Sequence, residues 1–251
     1  MINLDVNYIT NGLIGANDTI YFTVTNNGYL DYTLNMLKSL NRYNIDKKVL
    51  VVCLDSISND YFKSIGYFTH FIDLNLNEFS EFGTDGFAKC CYIKIFLIYK
   101  FLQMGYNVFY SDGDIFYTKN PLDEINMLNE ECGDMWIQND TMDDNNINWV
   151  CAGFMYIRSN SNTLKHFNIE IPEFAERYNQ FTKHTCDQHY LNIYIRPFLD
   201  VKVFPLNKFP NGNYFYNFSD KIRESITMVH FNWIVGHEKR DRMKKYNMWL
   251  V

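Results

Sequence analysis

The chain has 251 residues, of which 47% are hydrophobic and 18% aromatic, and its formal net charge at pH 7 is −6. This apolar content is enough for one large folded domain and excludes an intrinsically disordered chain. The acidic balance argues against a general nucleic-acid-binding protein, because such proteins normally carry a basic face. An anionic ligand would meet the same acidic balance, which a bound metal ion would locally offset.

Several features of the chain bear on its location. Residues 1–10 include Asp5 and lack the basic and apolar regions that make up a signal peptide. No stretch approaches the roughly 18 consecutive apolar residues that a membrane-spanning helix needs. The six cysteines show no Cys-x-x-Cys spacing of a zinc site, and a chain of this size does not need disulfides. The sequence therefore predicts a cytoplasmic protein with reduced thiols and no membrane span.

The first part of the chain alternates strand and helix patterns. Residues 19–25 are β-branched and aromatic, which predicts a buried strand, and leucines at helical spacing predict a helix over 29–41. A second buried strand is predicted at 48–54, a short helix at 60–65 and a third strand at 69–74. This order of strands and helices implies a parallel sheet with helices on its faces.

The pattern continues to the end of the chain. Helices are predicted at 85–104, 122–128, 161–178 with a break at Pro172, 188–194 and 239–250. Strands are predicted at 107–110, 134–138, 149–157, 201–204 and 228–231, with a polar loop at 141–148. Since no repeat or linker interrupts this pattern, the sequence predicts a single compact α/β domain.

The most informative stretch is a pair of carboxylates after the predicted strand at 107–110. Asp112 and Asp114 flank Gly113, and residues two apart on an extended chain project to the same side. Converging carboxylates repel each other unless a cation lies between them. Oxygen ligands on a loop after a strand suit Mg2+ or Mn2+. Asp and Gly are also ordinary turn residues, so a solvated turn is the competing interpretation.

The position of these carboxylates in the predicted sheet favours a site over a turn. In an open parallel sheet, ligands bind beyond the carboxyl ends of the strands. Asp112 and Asp114 fall at such an end, as do Thr25, Asp55 and Asp73. Polar residues at strand ends also mark where solvent begins, so the last three are weaker candidates individually.

Other families that place carboxylates or phosphate-binding residues in this way fit less well. An EF-hand loop needs an oxygen ligand and then Gly at the positions that Phe116 and Tyr117 occupy. A phosphatase of the haloacid-dehalogenase type usually has Thr or Val at the position of Phe116. The Gly-rich motif of a P-loop enzyme is absent from the chain.

One remaining family matches at several separated segments. The segment 112–122 begins with Asp-Gly-Asp and ends with Asn120-Pro121-Leu122, and it resembles the DxD region of GT-A-fold nucleotide-sugar glycosyltransferases. Further segments resemble the same family: Lys94 with Gly105, Tyr106 and Val108; residues 151–154; Asp187 and Gln188 with Leu191 and Asn192; residues 209–212; and the run from His230 to Lys239. The closest resemblance is to the nucleotide-diphospho-sugar transferases that include plant cell-wall xylosyltransferases and arabinosyltransferases, with a looser one to glycogenin-like enzymes.

This resemblance implies a fold and an activity. The expected fold is the GT-A α/β fold, a mostly parallel sheet flanked by helices, as one domain over residues 1–251 with a nucleotide-binding half at about 19–120 and an acceptor-binding half at about 121–251. The expected activity is metal-dependent transfer of a sugar from a UDP-sugar to a hydroxyl of a glycan or protein-glycan acceptor, with retention and with Mn2+ or Mg2+. The alternatives are a haloacid-dehalogenase-type phosphatase and an inactive sugar-binding or assembly module on the same fold.

The resemblance also assigns roles to individual residues. The implied metal ligands are Asp112, Asp114 and His230. The implied donor-binding residues are Thr23, Val24 and Thr25 through their backbone, with Lys94, Asp112, Gly113, Gly236 and Lys239. Catalysis falls to Asp187 near the anomeric carbon, with Gln188 binding a sugar hydroxyl. The implied acceptor or sugar-binding residues are Gly153, Asn211, Gly212, Asn232 and Trp233, together with aromatic residues in 209–218.

Several of these residues have a competing structural interpretation. His230 is either a metal ligand, for which a neutral imidazole favours Mn2+ over Mg2+, or a packed histidine at a strand end. Lys94 lies either near the donor phosphates and site carboxylates or on an exposed helix face with Lys89 and Lys100. Asp187 is either catalytic, as a nucleophile or an electrostatic stabiliser, or a helix N-cap.

The C-terminal motif leaves one further question open. His230, Gly236 and Lys239 are spaced more widely than the His-x-x-Gly-x-x-Lys of glycosyltransferase family eight. Lys239 therefore contacts the donor phosphates, or Arg240 or Lys244 replaces it, or all three lie on a solvated helix face.

Overall fold

A computed structural model describes residues 14–15, 18–74, 76–80, 84–128, 131–179 and 186–251. The prediction that no signal peptide is present concerns residues 1–10, which lie outside the described residues. Among the described residues, no helix combines the length and the apolar composition needed to cross a membrane. The cytoplasmic location stays a prediction.

Strands and helices alternate along the described parts of the chain. The strands are β1 (Ile14–Gly15), β2 (Thr19–Thr25), β3 (Leu50–Cys53), β4 (Thr69–Phe71), β5 (Asn107–Ser111), β6 (Ile115–Tyr117), β7 (Met135–Asn139), β8 (Val150–Ile157), β9 (Val201–Phe204) and β10 (Met228–His230). The α-helices are α1 (Leu30–Asn41), α2 (Ser56–Ser64), α3 (Asp85–Gln103), α4 (Pro121–Leu128), α5 (Ser161–His166), α6 (Pro172–Asn179), α7 (Asp187–Tyr190), α8 (Gly212–Ile222) and α9 (His237–Lys245).

The central sheet has the strand order β4-β3-β2-β5-β8-β7-β9, and β1 pairs with β2. The β4-β3-β2-β5 half is parallel, and β7 is parallel to β9. β8 runs antiparallel to both of its neighbours. The predicted α/β fold with a mostly parallel sheet is therefore confirmed, and β5 and β7 present their carboxyl ends at the same edge.

Helices cover both faces of the sheet, and β2 shows how its sequence accommodates this. Ile20 and Phe22 pack in the same cluster as Ile98 of α3, whereas Tyr21 packs in the cluster of Leu37 of α1. All three strand residues are buried. Burial on both faces explains why the strand is apolar and β-branched throughout and does not alternate with polar residues.

A second, two-stranded sheet lies beside the first. β10 was predicted as a strand, but it pairs antiparallel with β6, which the sequence analysis did not predict. The two strands pack in a cluster with α8 and α9 that includes Phe116, Val229, Phe215 and Met243. On the side of β6 away from β10, the Tyr117 N–H donates to Ser39 Oγ of α1 at 3.0 Å.

Two predicted helix boundaries differ from the structure for identifiable reasons. α2 begins at Ser56 and not at residue 60, because Asp55 caps it by accepting from the Ser58 N–H at 2.9 Å. Asp55 also accepts from the Asn27 N–H at 2.7 Å, so its carboxylate joins the ends of β2 and β3. The last helix ends at Lys245 and not at residue 250, since Asn247 adopts a φ of 56°.

The chain after α9 is held against α1. The Leu250 N–H donates to Asn35 Oδ1 at 2.6 Å, and Asn35 Nδ2 donates to the Met248 carbonyl at 3.0 Å. Asn35 is fully buried, so these bonds replace the water that its amide would otherwise need. They fix the C-terminal end of the α9 segment relative to the sheet.

The Ser39 contact should stabilise the fold measurably. We expect Ser39→Ala to lower the free energy of unfolding by about 1–3 kcal/mol, because the buried Tyr117 N–H would lose its acceptor. Ser64→Ala is the matched control. Ser39 Oγ donates to the Met36 carbonyl at 2.6 Å, and Ser64 Oγ donates to the Tyr61 carbonyl at 2.7 Å, but Ser64 is exposed and, among the described residues, accepts no backbone bond from a second sheet. Its effect should stay within about 0.5 kcal/mol. Urea unfolding of both variants measures this, and equal losses would contradict the assignment.

Candidate active site

Two aspartates and a histidine converge where the two sheets meet. β6 pairs with β10 so that Ile115 lies opposite His230, which brings His230 beside residues 112–114. His230 Nε2 lies 3.2 Å from Asp114 Oδ1 and 3.7 Å from Asp112 Oδ2. One ligand atom from each of the three residues lies within 4.8 Å of the others. The three predicted metal ligands therefore form one cluster.

The chemistry of this cluster fits a divalent cation. His230 Nδ1 lies 2.7 Å from Gln138 Oε1, an atom that can only accept a hydrogen bond. The proton of a neutral ring is therefore on Nδ1, and Nε2 turns its lone pair towards the carboxylates. Two carboxylates and a lone pair in this arrangement repel one another unless positive charge lies between them. Two oxygens and one imidazole nitrogen suit Mn2+ better than Mg2+.

The two carboxylate oxygens of Asp112 have different surroundings. Oδ1 accepts from the Tyr110 hydroxyl at 2.5 Å and lies 3.6 Å from Lys94 Nζ. Oδ2 faces His230 instead. The anchored oxygen holds the side chain in place, and the other oxygen is left for a ligand. Asp112 is also more exposed than Asp114, so it lies on the open side of the cluster.

Asp114 forms a buried ion pair with Lys239 at 2.5 Å. Burial acts to raise the pKa of Asp114, but the ammonium of Lys239 opposes burial, and that pKa lies well below its usual value. Arg240 points elsewhere and pairs with Asp31 at 3.0 Å. Of the neighbouring cations left open by the sequence, Lys239 is the one that contacts a site carboxylate.

Gly236 makes the turn that directs Lys239 into the site. Its φ of 58° and ψ of −138° form a conformation that favours glycine. Its carbonyl accepts from the Tyr32 hydroxyl at 3.1 Å, which ties the turn to α1. The first turn of α9 follows at once and carries Lys239 towards Asp114.

Lys94 connects the cluster of Asp112, Asp114 and His230 with Asp187. Its ammonium lies 2.5 Å from Asp187 Oδ2 and donates to the Ala152 carbonyl at 3.0 Å. Burial acts to lower the pKa of Lys94, but Asp112 and Asp187 raise it well above its ordinary value. The interpretation of Lys94 as an exposed helix residue is therefore wrong. Asp187 is not the N-cap of α7 either, because Cys186 occupies that position.

Two glycines allow a close approach of the chain in the site. A Cβ on Gly153 would lie 2.3 Å from His230 Cε1 and 2.5 Å from Asp112 Oδ2, so any side chain there would displace His230 and Asp112. A Cβ on Gly113 would lie 2.4 Å from Thr33 Oγ1. Gly153 thus lies against His230 and Asp112, and its contact with a sugar stays a prediction.

Asp140 is a further carboxylate of the site that the sequence analysis did not identify. Its Oδ2 accepts from Gln188 Nε2 at 2.8 Å, and its Oδ1 accepts from Asn232 Nδ2 at 3.1 Å and Trp233 Nε1 at 3.0 Å. Burial raises its pKa, against the lowering effect of these hydrogen bonds. Gln188 also accepts from the Ala152 N–H at 3.3 Å. Asp140 therefore joins three residues that the sequence placed at the catalytic and acceptor sites.

Trp233 combines exposure with an unusual backbone. Trp233 is 59% exposed, and its backbone φ is 64°. A bulky residue rarely adopts a positive φ, and such strain costs of order 1–3 kcal/mol. The hydrogen bond to Asp140 holds the indole in this position. An exposed aromatic face beside a fixed carboxylate is suited to contact a sugar ring.

The remaining predicted acceptor residues build the loop around Asp140. Asn211 is fully buried, caps α8 by accepting from the Tyr214 N–H at 2.9 Å, and donates to the Thr141 carbonyl at 2.7 Å. The Gly212 N–H donates to Asn232 Oδ1 at 2.6 Å. Direct contact of Asn211 or Gly212 with an acceptor stays a prediction.

The three predicted residues of β2 lie at the neighbouring strand end. Thr23 is fully buried, and the Thr25 hydroxyl oxygen accepts from Thr33 Oγ1 at 2.9 Å. Val24 is half-buried on the opposite face, against the cluster of α3. Because Thr33 also touches Gly113, the end of β2 adjoins the carboxylate segment. Backbone contacts with a nucleotide stay a prediction.

Gln138, Tyr110 and Asp140 complete the site without having been predicted. Asp140 directly follows β7, at the same sheet edge as Asp112, so the strand-end rule that singled out Asp112 applies to it as well. Gln138 and Tyr110 lie within strands, where the sequence pattern gives no signal that separates them from packed core residues.

Comparisons with known proteins agree with this geometry. The family model described as nucleotide-diphospho-sugar transferase matches residues 44–243. A UDP-galactose:fucoside alpha-3-galactosyltransferase of Dictyostelium discoideum is 26% identical over 95% of this chain and 44% of its own length. A UDP-D-xylose:L-fucose alpha-1,3-D-xylosyltransferase of Arabidopsis thaliana is 24% identical over 95% of this chain and 68% of its own length. The chain thus spans less than half of the Dictyostelium relative.

Solved structures show the same fold. The galactosyltransferase LgtC has a TM-score of 0.53 at 14% identity, covering 91% of this chain and 94% of its own. Mouse xyloside xylosyltransferase 1 has a TM-score of 0.51 at 13% identity, covering 86% of this chain and 98% of its own. Because the family model matches well over half of the chain, the family resemblance is confirmed. The chain belongs to the nucleotide-diphospho-sugar transferase family.

Proposed function

We propose that this chain is a metal-dependent glycosyltransferase that moves a sugar from a UDP-sugar to a hydroxyl of a fucose-containing glycan, with retention of configuration. The observation that carries this proposal is the convergence of Asp112, Asp114 and His230 beside the buried pair of Lys94 and Asp187. The cluster supplies a cation site, and the pair supplies a fixed carboxylate next to it.

The names of the relatives support the substrate class. The Dictyostelium relative is named for UDP-galactose and a fucoside, and the Arabidopsis relative for UDP-D-xylose and L-fucose. Their donor sugars differ, whereas UDP, fucose and an alpha-3 linkage are common to both names. UDP-galactose and UDP-xylose hold their sugars in α linkage, so an α product means net retention. We therefore propose a UDP-sugar donor, a fucoside acceptor and retention, with galactose and xylose as the donor sugars to compare.

The residues around the cation site have separate tasks towards the donor. A divalent cation bound by Asp112, Asp114 and His230 would stabilise the negative charge of the diphosphate that leaves. Lys239 is close enough to Asp114 to contact a phosphate held there. The N–H groups at the start of α9 add the positive end of a helix dipole on the same side.

Asp187 is suited to stabilise positive charge at the anomeric carbon. Its Oδ2 is 2.5 Å from Lys94, and its Oδ1 accepts from the Gln188 N–H at 2.9 Å. An ion pair of this kind reduces the nucleophilicity of a carboxylate but keeps it charged and oriented. We therefore favour the role of electrostatic stabiliser over that of covalent nucleophile.

The acceptor is proposed to bind between Asp140 and Trp233. The exposed indole face offers a flat surface to a pyranose ring, and Asp140 offers oxygens to its hydroxyls. Gln188 contacts Asp140 and directly follows Asp187, so this acceptor position adjoins the reacting carbon.

The haloacid-dehalogenase alternative is not supported. The family model that matches this chain and its named relatives are those of sugar transferases, not of phosphatases. An inactive sugar-binding module would keep donor binding without turnover. Hydrolysis of UDP-galactose or UDP-xylose in the presence of Mn2+ separates an enzyme from such a module.

The metal role of Asp114 can be tested by removing its charge. We expect Asp114→Asn to abolish Mn2+-dependent binding of UDP while the protein stays folded, because the amide cannot replace an anionic ligand. Titration calorimetry with UDP, with and without Mn2+, measures the effect. Asp200→Asn removes an exposed carboxylate outside the site and should bind as the unaltered chain does. Unchanged UDP affinity in Asp114→Asn would refute the metal assignment.

Asp187 should affect the rate more than binding. We expect Asp187→Asn to lower kcat for sugar transfer by about 10²–10³-fold, because a charge that stabilises the transition state is lost. The dissociation constant of UDP should change far less, since the proposal assigns Asp187 to the sugar and not to the diphosphate. Initial rates at saturating donor measure this. A loss confined to UDP affinity would argue that Asp187 serves donor binding only.

Trp233 should determine acceptor affinity. We expect Trp233→Ala to raise KM for a fucoside acceptor by about tenfold, equivalent to about 1.4 kcal/mol of lost contact. Trp233→Phe keeps a ring but loses the N–H that donates to Asp140, so its effect should be intermediate. Phe198→Ala removes an aromatic residue of equal exposure, 58%, outside the site and serves as the control. Equal KM values for all variants would place the acceptor elsewhere.

A further inference from the structure

We propose that Gln138 is a positioning residue that fixes the tautomer and the ring orientation of His230, so that Nε2 is available as a metal ligand. This inference rests on the proposed metal-dependent function and extends it to a residue that contacts neither the donor nor the metal.

The place of Gln138 follows from an irregularity between β7 and β8. Ile137 lies opposite Met155, but the next residue, Gln138, lies opposite Cys151. Residues 152–154 therefore form a bulge in β8, and bulges re-aim nearby side chains. Gln138 is fully buried beneath His230, where its amide must find partners within the protein.

The orientation of the Gln138 amide is fixed by its other partners. Its Nε2 donates to the carbonyl oxygens of Phe209 at 3.2 Å and Pro210 at 3.0 Å, which uses both of its hydrogens. Exchanging Nε2 and Oε1 would set a carbonyl oxygen against two others. Oε1 therefore has to face His230 Nδ1, at 2.7 Å, and it accepts the ring proton.

The backbone of His230 is tied to the same point. Its N–H donates to the Pro210 carbonyl at 3.2 Å, the oxygen that also accepts from Gln138. The ring of His230 is thus hydrogen-bonded to Gln138, and its backbone is hydrogen-bonded to Pro210. A side chain held at two points has few alternative rotamers, which lowers the ordering needed when a metal binds.

The other neighbour of Nδ1 is a weaker partner. Cys151 Sγ lies 3.6 Å away. A thiol sulfur is a weak acceptor. Cys151 also accepts from the Gly153 N–H at 3.4 Å. The shorter bond to Gln138 is therefore the one that sets the ring tautomer.

Two substitutions separate positioning from a structural role. Gln138→Leu removes both the oxygen that accepts from Nδ1 and the amide that donates to 209–210. Gln138→Glu keeps an oxygen facing Nδ1 but loses the amide. We expect Gln138→Leu to weaken Mn2+ binding by about 10–100-fold, as loss of partners behind metal-ligating histidines typically does. Gln138→Glu should keep the Mn2+ affinity within about fivefold of the unaltered chain, because an acceptor for Nδ1 remains.

Metal affinity is measured by electron paramagnetic resonance of free Mn2+, and the ligand set by the visible absorption of bound Co2+. Thermal unfolding without metal reports stability separately. Both variants lose the amide, and Gln138→Glu should lose more stability, because its second oxygen would face the carbonyls of Phe209 and Pro210. If Gln138 were only structural, Gln138→Glu would bind Mn2+ at least as weakly as Gln138→Leu. That result would overturn the inference.

The tautomer can be observed in the unaltered, metal-free chain. At a pH where the ring is neutral, nitrogen-15 NMR of labelled histidine should show the proton of His230 on Nδ1, with His230→Asn identifying its signals among the six histidines. A neutral ring with its proton on Nε2 would overturn the inference without any Gln138 variant. Wild-type Mn2+ affinity in Gln138→Leu would overturn the role of Gln138 alone. A failure of the unaltered chain to bind Mn2+ would overturn the metal-dependent function and this inference together.

Discussion

The site depends on holding three carboxylates together against their mutual repulsion. Asp112, Asp114 and Asp187 converge at one edge of the sheet, and Asp114 and Asp187 are buried. Like charges this close together disfavour folding unless they are offset. Lys94 lies 2.5 Å from Asp187 and 3.6 Å from Asp112, and Lys239 lies 2.5 Å from Asp114. The two lysines offset two of the three negative charges. A divalent cation would neutralise the remaining negative charge, and its second positive charge would attract a diphosphate.

The antiparallel strand β8 sets the distances within this arrangement. At its bulge, the Gly153 carbonyl accepts from the Asp112 N–H at 2.8 Å, and the Ala152 carbonyl accepts from Lys94 at 3.0 Å. The bulge thus orients one carboxylate and the lysine that offsets it. Only glycine fits at residue 153, because its Cα faces both His230 and Asp112. A strand that departs from the parallel pattern is therefore the part of the sheet that shapes the site.

Much of the fold could be predicted because its physical causes are local. β2 and α1 follow from apolar periodicity, and Asp112 follows from its position at a strand end. β6 could not be predicted, since its three residues are stabilised by pairing with β10, more than a hundred positions away in the chain. For the same reason the sequence could not choose between Lys239 and Arg240. That choice depends on the direction of α9, which the turn at Gly236 sets.

The contacts of the site also explain how metal binding and acceptor binding could be coupled. Three short segments each contribute one side chain to the candidate metal and catalytic residues and another to the proposed acceptor site. In β7 and the residue after it these are Gln138 and Asp140; after β10 they are His230 and Asn232; and in α7 they are Asp187 and Gln188. In two of the segments the pair is separated by one residue, so the two side chains leave an extended backbone on the same side. A shift of His230 or Asp187 on donor binding would therefore be transmitted through one or two peptide units to Asp140 and its partners. The proposed acceptor site is built from the same backbone as the candidate metal site, and a rigid backbone of this kind would hold the two substrates at a fixed separation.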